Sequence, residues 1–277
     1  MAISKNACFT AFLALFFTLS ACVSNPPDSA PRSPATNIPD DAVPRQEAKS
    51  RYGNGPKYQV FGVNYRVLDS SSGYQEQGVA SWYGKKFHGR KTSNQETYDM
   101  YAMTAAHKSL PLPTYVRVRN LRNNKSVIVR VNDRGPFVDN RLIDLSYSAA
   151  LKLDMIRDGT SLVEVTAINF DQAPAKPVET IRVQSIEKNV DADLTPPVPT
   201  NDVFVQVGAF GERENAQRRY VLLRDRGFRQ AFVHEDKGRS PSLYRVRIGP
   251  ITDATQYDVI VEELQQLGIS ETHLVTD

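Results

Sequence analysis

Val127-Ile128-Val129-Arg130-Val131-Asn132-Asp133-Arg134-Gly135-Pro136-Phe137 is the stretch that decides the fold. Its first five residues form an apolar, β-branched run, and Asn132-Asp133 and then Gly135-Pro136 end that run in a turn. β-Branched side chains suit a pleated, half-buried surface, and Gly and Pro mark the turn at its end. A strand that stops at Asn-Asp holds Asp133 at the rim of a sheet, on a rigid element, where a general acid is useful. An aspartate there can equally serve only its own turn backbone, so the rest of the chain has to separate the two uses.

That apolar stretch is one of five such short runs: Val79–Tyr83, Tyr115–Asn120, Ser126–Val131, Leu142–Leu145 and Leu162–Ile168. Val116-Arg117-Val118-Arg119 alternates as a strand with one exposed face does. Two helical stretches are expected, near Thr104–His107 and over Ser146–Leu153, the second opening on Ser146 as N-cap. Many short strands with few helices over residues 78–169 predict a small barrel.

The C-terminal region, residues 203–277, carries an internal repeat. Phe204-Val205-Gln206-Val207-Gly208 and Tyr244-Arg245-Val246-Arg247-Ile248-Gly249 are alternating strands ending in glycine. Ala216, Tyr220 and Leu223 come after the first at helical spacing, and Ala254, Tyr257, Val261 and Leu264 after the second. Gly227 and Gly268 each lie 19 residues after the strand-ending glycine, where a helix C′ residue belongs. Short apolar strands at Ala231-Phe232-Val233 and His273-Leu274-Val275 complete βαβ-βαβ, a small sheet with two helices on one face.

The rest of the 277 residues organise these units. Lys5 and the apolar run Phe9–Leu19 form a signal peptide over residues 1–21, too short to span a bilayer. Leu19-Ser20-Ala21-Cys22 resembles a bacterial lipobox, so cleavage before Cys22 and lipidation of its thiol are expected. Val23 in place of Asp after that cysteine implies sorting to the outer membrane. Residues 22–50, rich in Pro, Ser, Asp and Ala, are expected to be a disordered tether. Residues 51–77 form an N-terminal extension of the barrel, and residues 170–202, with Thr195-Pro196-Pro197-Val198-Pro199, form a linker; nothing is assigned to Thr180–Ile186. Cys8 leaves with the signal and Cys22 becomes the anchor, so the mature chain has no free thiol for a disulfide, zinc or nucleophile. Four histidines with no i,i+4 pair argue against a metal site, and no cofactor is expected. A net charge of +3 is too small and dispersed for a nucleic-acid partner.

Gly78-Val79-Ala80-Ser81-Trp82-Tyr83-Gly84, Phe87-His88-Gly89-Arg90-Lys91-Thr92, Met103-Thr104-Ala105-Ala106-His107, Leu110-Pro111, Val131–Phe137 and Ile143-Asp144-Leu145-Ser146 occur in that order. Together they resemble the rare lipoprotein A family of septal lipoproteins. The C-terminal repeat resembles the sporulation-related repeat (SPOR) domain that usually closes those chains. The resemblance implies a six-stranded double-psi β-barrel and then a SPOR domain, mainly β plus α+β. It implies a lytic transglycosylase of peptidoglycan acting on glycan strands stripped of stem peptides. In such an enzyme the sugar's own C6 hydroxyl is the nucleophile, so one carboxyl group can serve as acid and then as base. The family's functional positions fall on Glu96, His107 and Asp133, with Asp133 as the acid/base, Glu96 as its neighbour or a substrate holder, and His107 as an orienting or donating group.

Asp144 is a second carboxylate candidate, and Trp82 and Tyr83 could stack on sugar faces. In the SPOR domain, Gln206, Tyr244, Arg245 and Arg247 are the expected glycan platform. Denuded strands, the outer membrane and divisome proteins are the candidate partners. The family has Asn-Gly-Glu where this chain has Asn94-Gln95-Glu96. If that glycine supplies a positive φ, Gln95 strains the loop by about 1–2 kcal/mol or redirects it. The competing reading is a non-catalytic glycan-binding protein that grips strands as expansins do. A nuclease or protease on this barrel lacks the ligands or nucleophile it would need.

Overall fold

The computed structural model describes residues 38–170, 202–236 and 242–276. The signal peptide, Cys22, residues 22–37 of the tether and the linker from 171 to 201 lie outside the described residues.

Six strands close a barrel in the order β3-β7-β4-β6-β5-β8. These are β3 (Gln75–Tyr83), β4 (Thr104–His107), β5 (Thr114–Asn120), β6 (Ser126–Asp133), β7 (Ile143–Ser146) and β8 (Ser161–Ala167). The β3–β7 and β4–β6 pairs are parallel and the other four antiparallel. The β-branched run ending at Asp133 is β6. Its Val127, Val129 and Val131 face Val118, Val116 and Thr114 of β5, and the five valines are buried in the barrel core with Ala105, Ile143 and Leu145.

The sequence expectation fails at Thr104–His107, which is strand β4 rather than helix. Four residues are too few to nucleate a helix, and both edges of this segment are taken, by β6 on one side and β7 on the other. The second expected helix is present as α1 (Tyr147–Lys152), with the Ser146 hydroxyl accepting from Ala149 N at 3.3 Å.

Ahead of the barrel, β1 (Lys57–Val60) and β2 (Val63–Arg66) form a hairpin closed by Phe61 and Gly62, both at positive φ as a tight two-residue turn requires. Order also reaches back into the expected tether. Ala42 N donates to Ile128 O at 3.0 Å, and Ser50 N to Leu112 O at 2.8 Å, so residues 41–50 lie strapped along the barrel.

In the C-terminal domain β9 (Val203–Phe210), α2 (Arg213–Asp225), β10 (Ala231–Asp236), β11 (Leu243–Ile251), α3 (Ala254–Gln266) and β12 (His273–Thr276) keep the predicted order. The sheet is antiparallel, in the order β10-β11-β9-β12. Gly227 and Gly268 sit just past the two helices at φ 97° and 76°, the left-handed C′ conformation that the spacing predicts.

Candidate active site

A register irregularity in β6 builds the site. Ala105 pairs with Val131, but the next residue of β4, Ala106, pairs with Asp133, leaving Asn132 as an extra residue. In a regular strand Asp133 would line up with Val129 and Val131 and enter the core. The bulge turns it instead to the outer face, beside Ala106. On the other side of Ala106 stands Asp144 of β7, and Asp144 in turn pairs with Ser81 of β3. Ser81, Asp144, Ala106 and Asp133 therefore form one row across four adjacent strands. Two strand spacings, about 10 Å, separate the backbones of the two aspartates, with only a methyl group between them. The turn after β6 passes over this row. A Cβ added to Gly135, at φ 140°, would lie 3.7 Å from Ala106 Cβ and 4.0 Å from Asp144 Oδ2.

The two carboxylates are held differently. Asp133 Oδ1 accepts from Ser93 N at 2.7 Å, Ser93 Oγ at 2.6 Å and Arg134 N at 2.7 Å. Its Oδ2 has no donor among the described residues. Asp144 Oδ1 accepts from Ser81 Oγ. Burial raises the Asp144 pKa, against the Ser81 hydrogen bond and the charges of Arg141 and Lys108, and the Asp133 charge adds to the rise. The Arg134 guanidinium turns away, donating to Gly53 O, His107 O and Leu110 O.

Glu96 reaches the same end of the barrel from a tight loop. Thr92 N donates to Glu96 O at 2.9 Å, Gln95 N to Thr92 O at 2.9 Å, and Thr92 Oγ1 to Asn94 Oδ1 at 2.6 Å. The Glu96 carboxylate accepts from Arg130 Nη1 at 2.9 and 2.8 Å and from Asn132 Nδ2 at 2.8 Å. Burial works to raise its pKa, but the bonds from Asn132 and Arg130 outweigh it and the net shift is downward. Asn132, the bulge residue, thus ties Glu96 to the residue beside Asp133.

His107 is not brought to these carboxylates. It pairs with Ile143 on β4, on the face opposite Ala106, and is 2% exposed. Its Nδ1 accepts from Ser109 N at 3.2 Å and Leu110 N at 3.1 Å, and its Nε2 lies 2.8 Å from Tyr74 Oη. Two amide donors on Nδ1 place the proton on Nε2, so Tyr74 accepts there and donates to Glu76 Oε2 at 2.9 Å. Burial, with Arg134 and Lys108 nearby, lowers the His107 pKa to about 3. The ring ends a strand as a buried, neutral group, which corrects its expected place at the end of a helix.

Tyr83 is buried, and Trp82 is half-buried against the same cluster. Tyr83 stacks on Tyr98 with centroids 4.1 Å apart, and Trp82 meets Tyr147 edge-on at 5.8 Å. The Tyr83 hydroxyl is buried beside Thr104. Its burial, then Tyr98 and Asp133, push the phenol well above its usual pKa.

Residues 75–165 match the family model described as lytic transglycolase, and residues 199–274 match the SPOR domain. The endolytic peptidoglycan transglycosylase RlpA of Vibrio cholerae is 38% identical over 250 residues, 90% of this chain and 87% of that protein. RlpA of Pseudomonas aeruginosa (strain UCBPP-PA14) is 36% identical over 87% of this chain and 81% of that protein. RlpA of Neisseria meningitidis (strain MC58) is 39% identical over 76% of this chain and 80% of that protein. The chain belongs to the RlpA family of endolytic peptidoglycan transglycosylases.

Gln95 stands where the resemblance leads one to expect glycine, and the structure shows its conformation. Gln95 takes φ 72°, the left-handed conformation that glycine would supply. Glu96 is held by Arg130 and Asn132 in the presence of that strained residue. The SPOR residues divide. Arg245 Nη1 donates to Gln206 Oε1 at 3.4 Å, and Arg247 pairs with Gln206 and lies over the Phe204 ring at 5.8 Å, so these three residues share the face opposite the helices. Gln206 and Arg247 are buried, at 8% and 7% exposure, and form the floor of that face rather than an open platform. Tyr244 packs on the helix side and leaves the group. Sequence reasoning missed Ser81, Ser93, Arg130 and Asn132. Arg130 had a signal, a charge inside an otherwise apolar run; Ser81 and Ser93 had none, because only the barrel's closure brings them to the aspartates.

Proposed function

We propose that this RlpA chain cleaves the MurNAc–GlcNAc bond of peptide-free peptidoglycan strands at the division septum, leaving 1,6-anhydro-MurNAc ends. Family membership supports lytic transglycosylase action on peptidoglycan. The observation that carries the residue assignment is the row itself: Asp133 is locked through Oδ1 and presents Oδ2 to the outer face, beside a second carboxyl group. Asp133 gives its proton to the glycosidic oxygen as the C1–O bond breaks. Developing positive charge at C1 is met by the flanking carboxylates. The C6 hydroxyl then bonds to C1 and returns its proton to Asp133, so the cycle closes without water. Glu96, kept ionised by Arg130 and Asn132, holds the strand or supplies negative potential. His107 keeps β4 and the next turn in place.

A second reading has its own support. Burial raises the Asp144 pKa, which suits a proton donor near neutral pH; Asp144 would then donate and Asp133 stabilise the oxocarbenium ion. Asp133→Asn and Asp144→Asn separate the two readings. Loss of a general acid costs about 10²–10⁴-fold, and the variant that abolishes the alkaline limb of the pH–rate profile identifies the donor.

The protein without its anchor should release 1,6-anhydro-ended saccharides from amidase-treated sacculi and not from untreated ones. Binding to treated sacculi without release would sink the enzymatic reading in favour of a glycan-gripping protein. The SPOR domain supports a cell-wall, septal association, and lipidation of Cys22 would hold the chain to the outer membrane.

A further inference from the structure

We infer that Glu47, in the strap ahead of the barrel, is a positioning residue for cleavage: it clamps Arg130 so that Arg130 holds the Glu96 carboxylate in place. The inference rests on the reading that Glu96 serves the site. The strap lies outside residues 75–165, the span of the family's barrel model, so it is an addition to the catalytic domain.

Arg130 stands between two carboxylates. One edge of its guanidinium meets Glu47, Nε to Oε1 at 3.0 Å and Nη2 to Oε2 at 2.8 Å, and Nη1 meets both oxygens of Glu96. A planar fork gripped on one edge by a bidentate carboxylate cannot rotate without breaking two charge-assisted bonds. The Nη1 direction, and with it Glu96, is then set by Glu47. Glu47 is itself fixed: Tyr115 Oη donates to its Oε1 at 2.5 Å and Arg45 Nε at 3.1 Å. The strap is pinned upstream, where Asp41 Oδ2 accepts from Ile128 N at 2.9 Å and Asp41 Oδ1 meets Lys152 Nζ at 2.7 Å. Downstream, Asn54 Nδ2 donates to Leu112 O at 2.7 Å. The arrangement is asymmetric in solvent. The side chains of Arg130 and Glu47 are 15% and 20% exposed, whereas that of Glu96 is 41% exposed. The inner pair is the fixed end and Glu96 the working end.

The test is a double-mutant cycle on soluble denuded strands with Glu47→Gln, Glu96→Gln and both, at enzyme concentrations that keep residual rates measurable. Glu47→Gln is expected to lower kcat by about 10- to 100-fold, as loss of a supporting partner does, with KM changed less than about twofold. In the Glu96→Gln background the same change should cost less than about twofold, because its route to the reaction is gone. Equal costs in both backgrounds, or wild-type kcat in Glu47→Gln, would overturn the inference. Full activity in Glu96→Gln would overturn the assignment of Glu96 and this inference with it, so the two failures are distinct. Should Glu47→Gln lose its cooperative melt, Tyr115→Phe, which removes one bond to Glu47 and no charge, gives the same cycle with a smaller expected loss.

Discussion

Asn132 in the barrel and Val207 in the SPOR sheet, which has a second irregularity between Ile248 and Ile251, are bulge residues that do opposite work. In the barrel, Asn132 is the extra residue, and it takes Asp133 out of the core row of Val127, Val129 and Val131. In the SPOR sheet, Val246 pairs with Gly208 and Arg247 with Gln206, so Val207 is the extra residue of β9. That bulge brings Phe210 round to the helix-packed cluster that already holds Val203, Val205 and Val207. One bulge gives up regularity to present a carboxylate oxygen; the other gives it up for packing. The polar groups around them differ in the same sense. All three bonds to Asp133 go to Oδ1, which leaves Oδ2 without a donor among the described residues, while Arg245 is held by Gln206 and Asp236. A reacting site needs open hydrogen-bonding capacity on a rigid frame. A recognition surface can be largely self-satisfied until its ligand arrives.

Deleting each extra residue is the strongest way to break this contrast. Removal of Asn132 should make β6 regular, leave Asp133 beside Ala106 on the outer face and strip Glu96 of one donor. Cleavage is expected to fall about 10- to 100-fold, as loss of a supporting partner does, without the sharp loss of stability that a carboxylate driven into the core would cause. Removal of Val207 should leave Phe210 opposite Tyr244 but take one apolar side chain out of the cluster, at a cost of about 2 kcal/mol, read as a lower SPOR melting transition, with cleavage of soluble strands unchanged. Cleavage lost equally in both deletions would mean that the bulges are not specialised.

The next largest effect concerns Asp144 and has a definite sign with pH. Burial raises its folded-state pKa above the ordinary 3.8. Such a group takes up a proton on folding, so it favours the folded state in acid and costs stability as pH rises past 3.8 toward the folded value. Asp144→Asn should therefore melt at about the wild-type temperature, within about 1–2 °C, well below about pH 4 and higher than wild type at about pH 7, while cleavage falls. Unchanged melting at neutral pH would show that the carboxyl is not strained there. Glu47 runs the other way: its bond to Arg130 holds it at about 2, so its contribution is full above 4.5 and disappears as pH falls through 2. The chain thus stabilises the strap and stresses the row.

Legibility in the sequence divides along the same line. The SPOR order is readable down to its C′ glycines because a regular repeat obeys period and punctuation, and five of the six barrel strands are readable for the same reason. The failures lie where neighbours override local preference. Thr104–His107 carries helix-forming alanines, yet closure between β6 and β7 makes it a strand. His107 is a site candidate by its place in a motif, but the face of β4 on which it lies depends on a register that the motif does not carry. Asp133 is visible as the end of a strand; its outward aim is not, because a bulge has no signature in alternation. The strap is hidden by composition, since a polar, proline-containing stretch can be held by a few ion pairs as firmly as by apolar packing.

The smallest predicted effect is at Gln95. A non-glycine residue at φ 72° loses about 1–2 kcal/mol to the left-handed conformation, and glycine there loses about 0.5–1 kcal/mol in unfolded-chain entropy. Gln95→Gly should gain the difference, about 0.5–1 kcal/mol, or about 2–6 °C in the barrel's melting temperature. Activity should stay within about twofold of wild type, because Arg130 and Asn132, not the residue before it, fix the Glu96 carboxylate. A tenfold rise in cleavage would mean that Gln95 holds Glu96 away from its working position, and the loop would then join the row as a strained element. Stabilisation without a change in rate would place Gln95 with Val207, as an irregularity that bears on folding and leaves the chemistry alone.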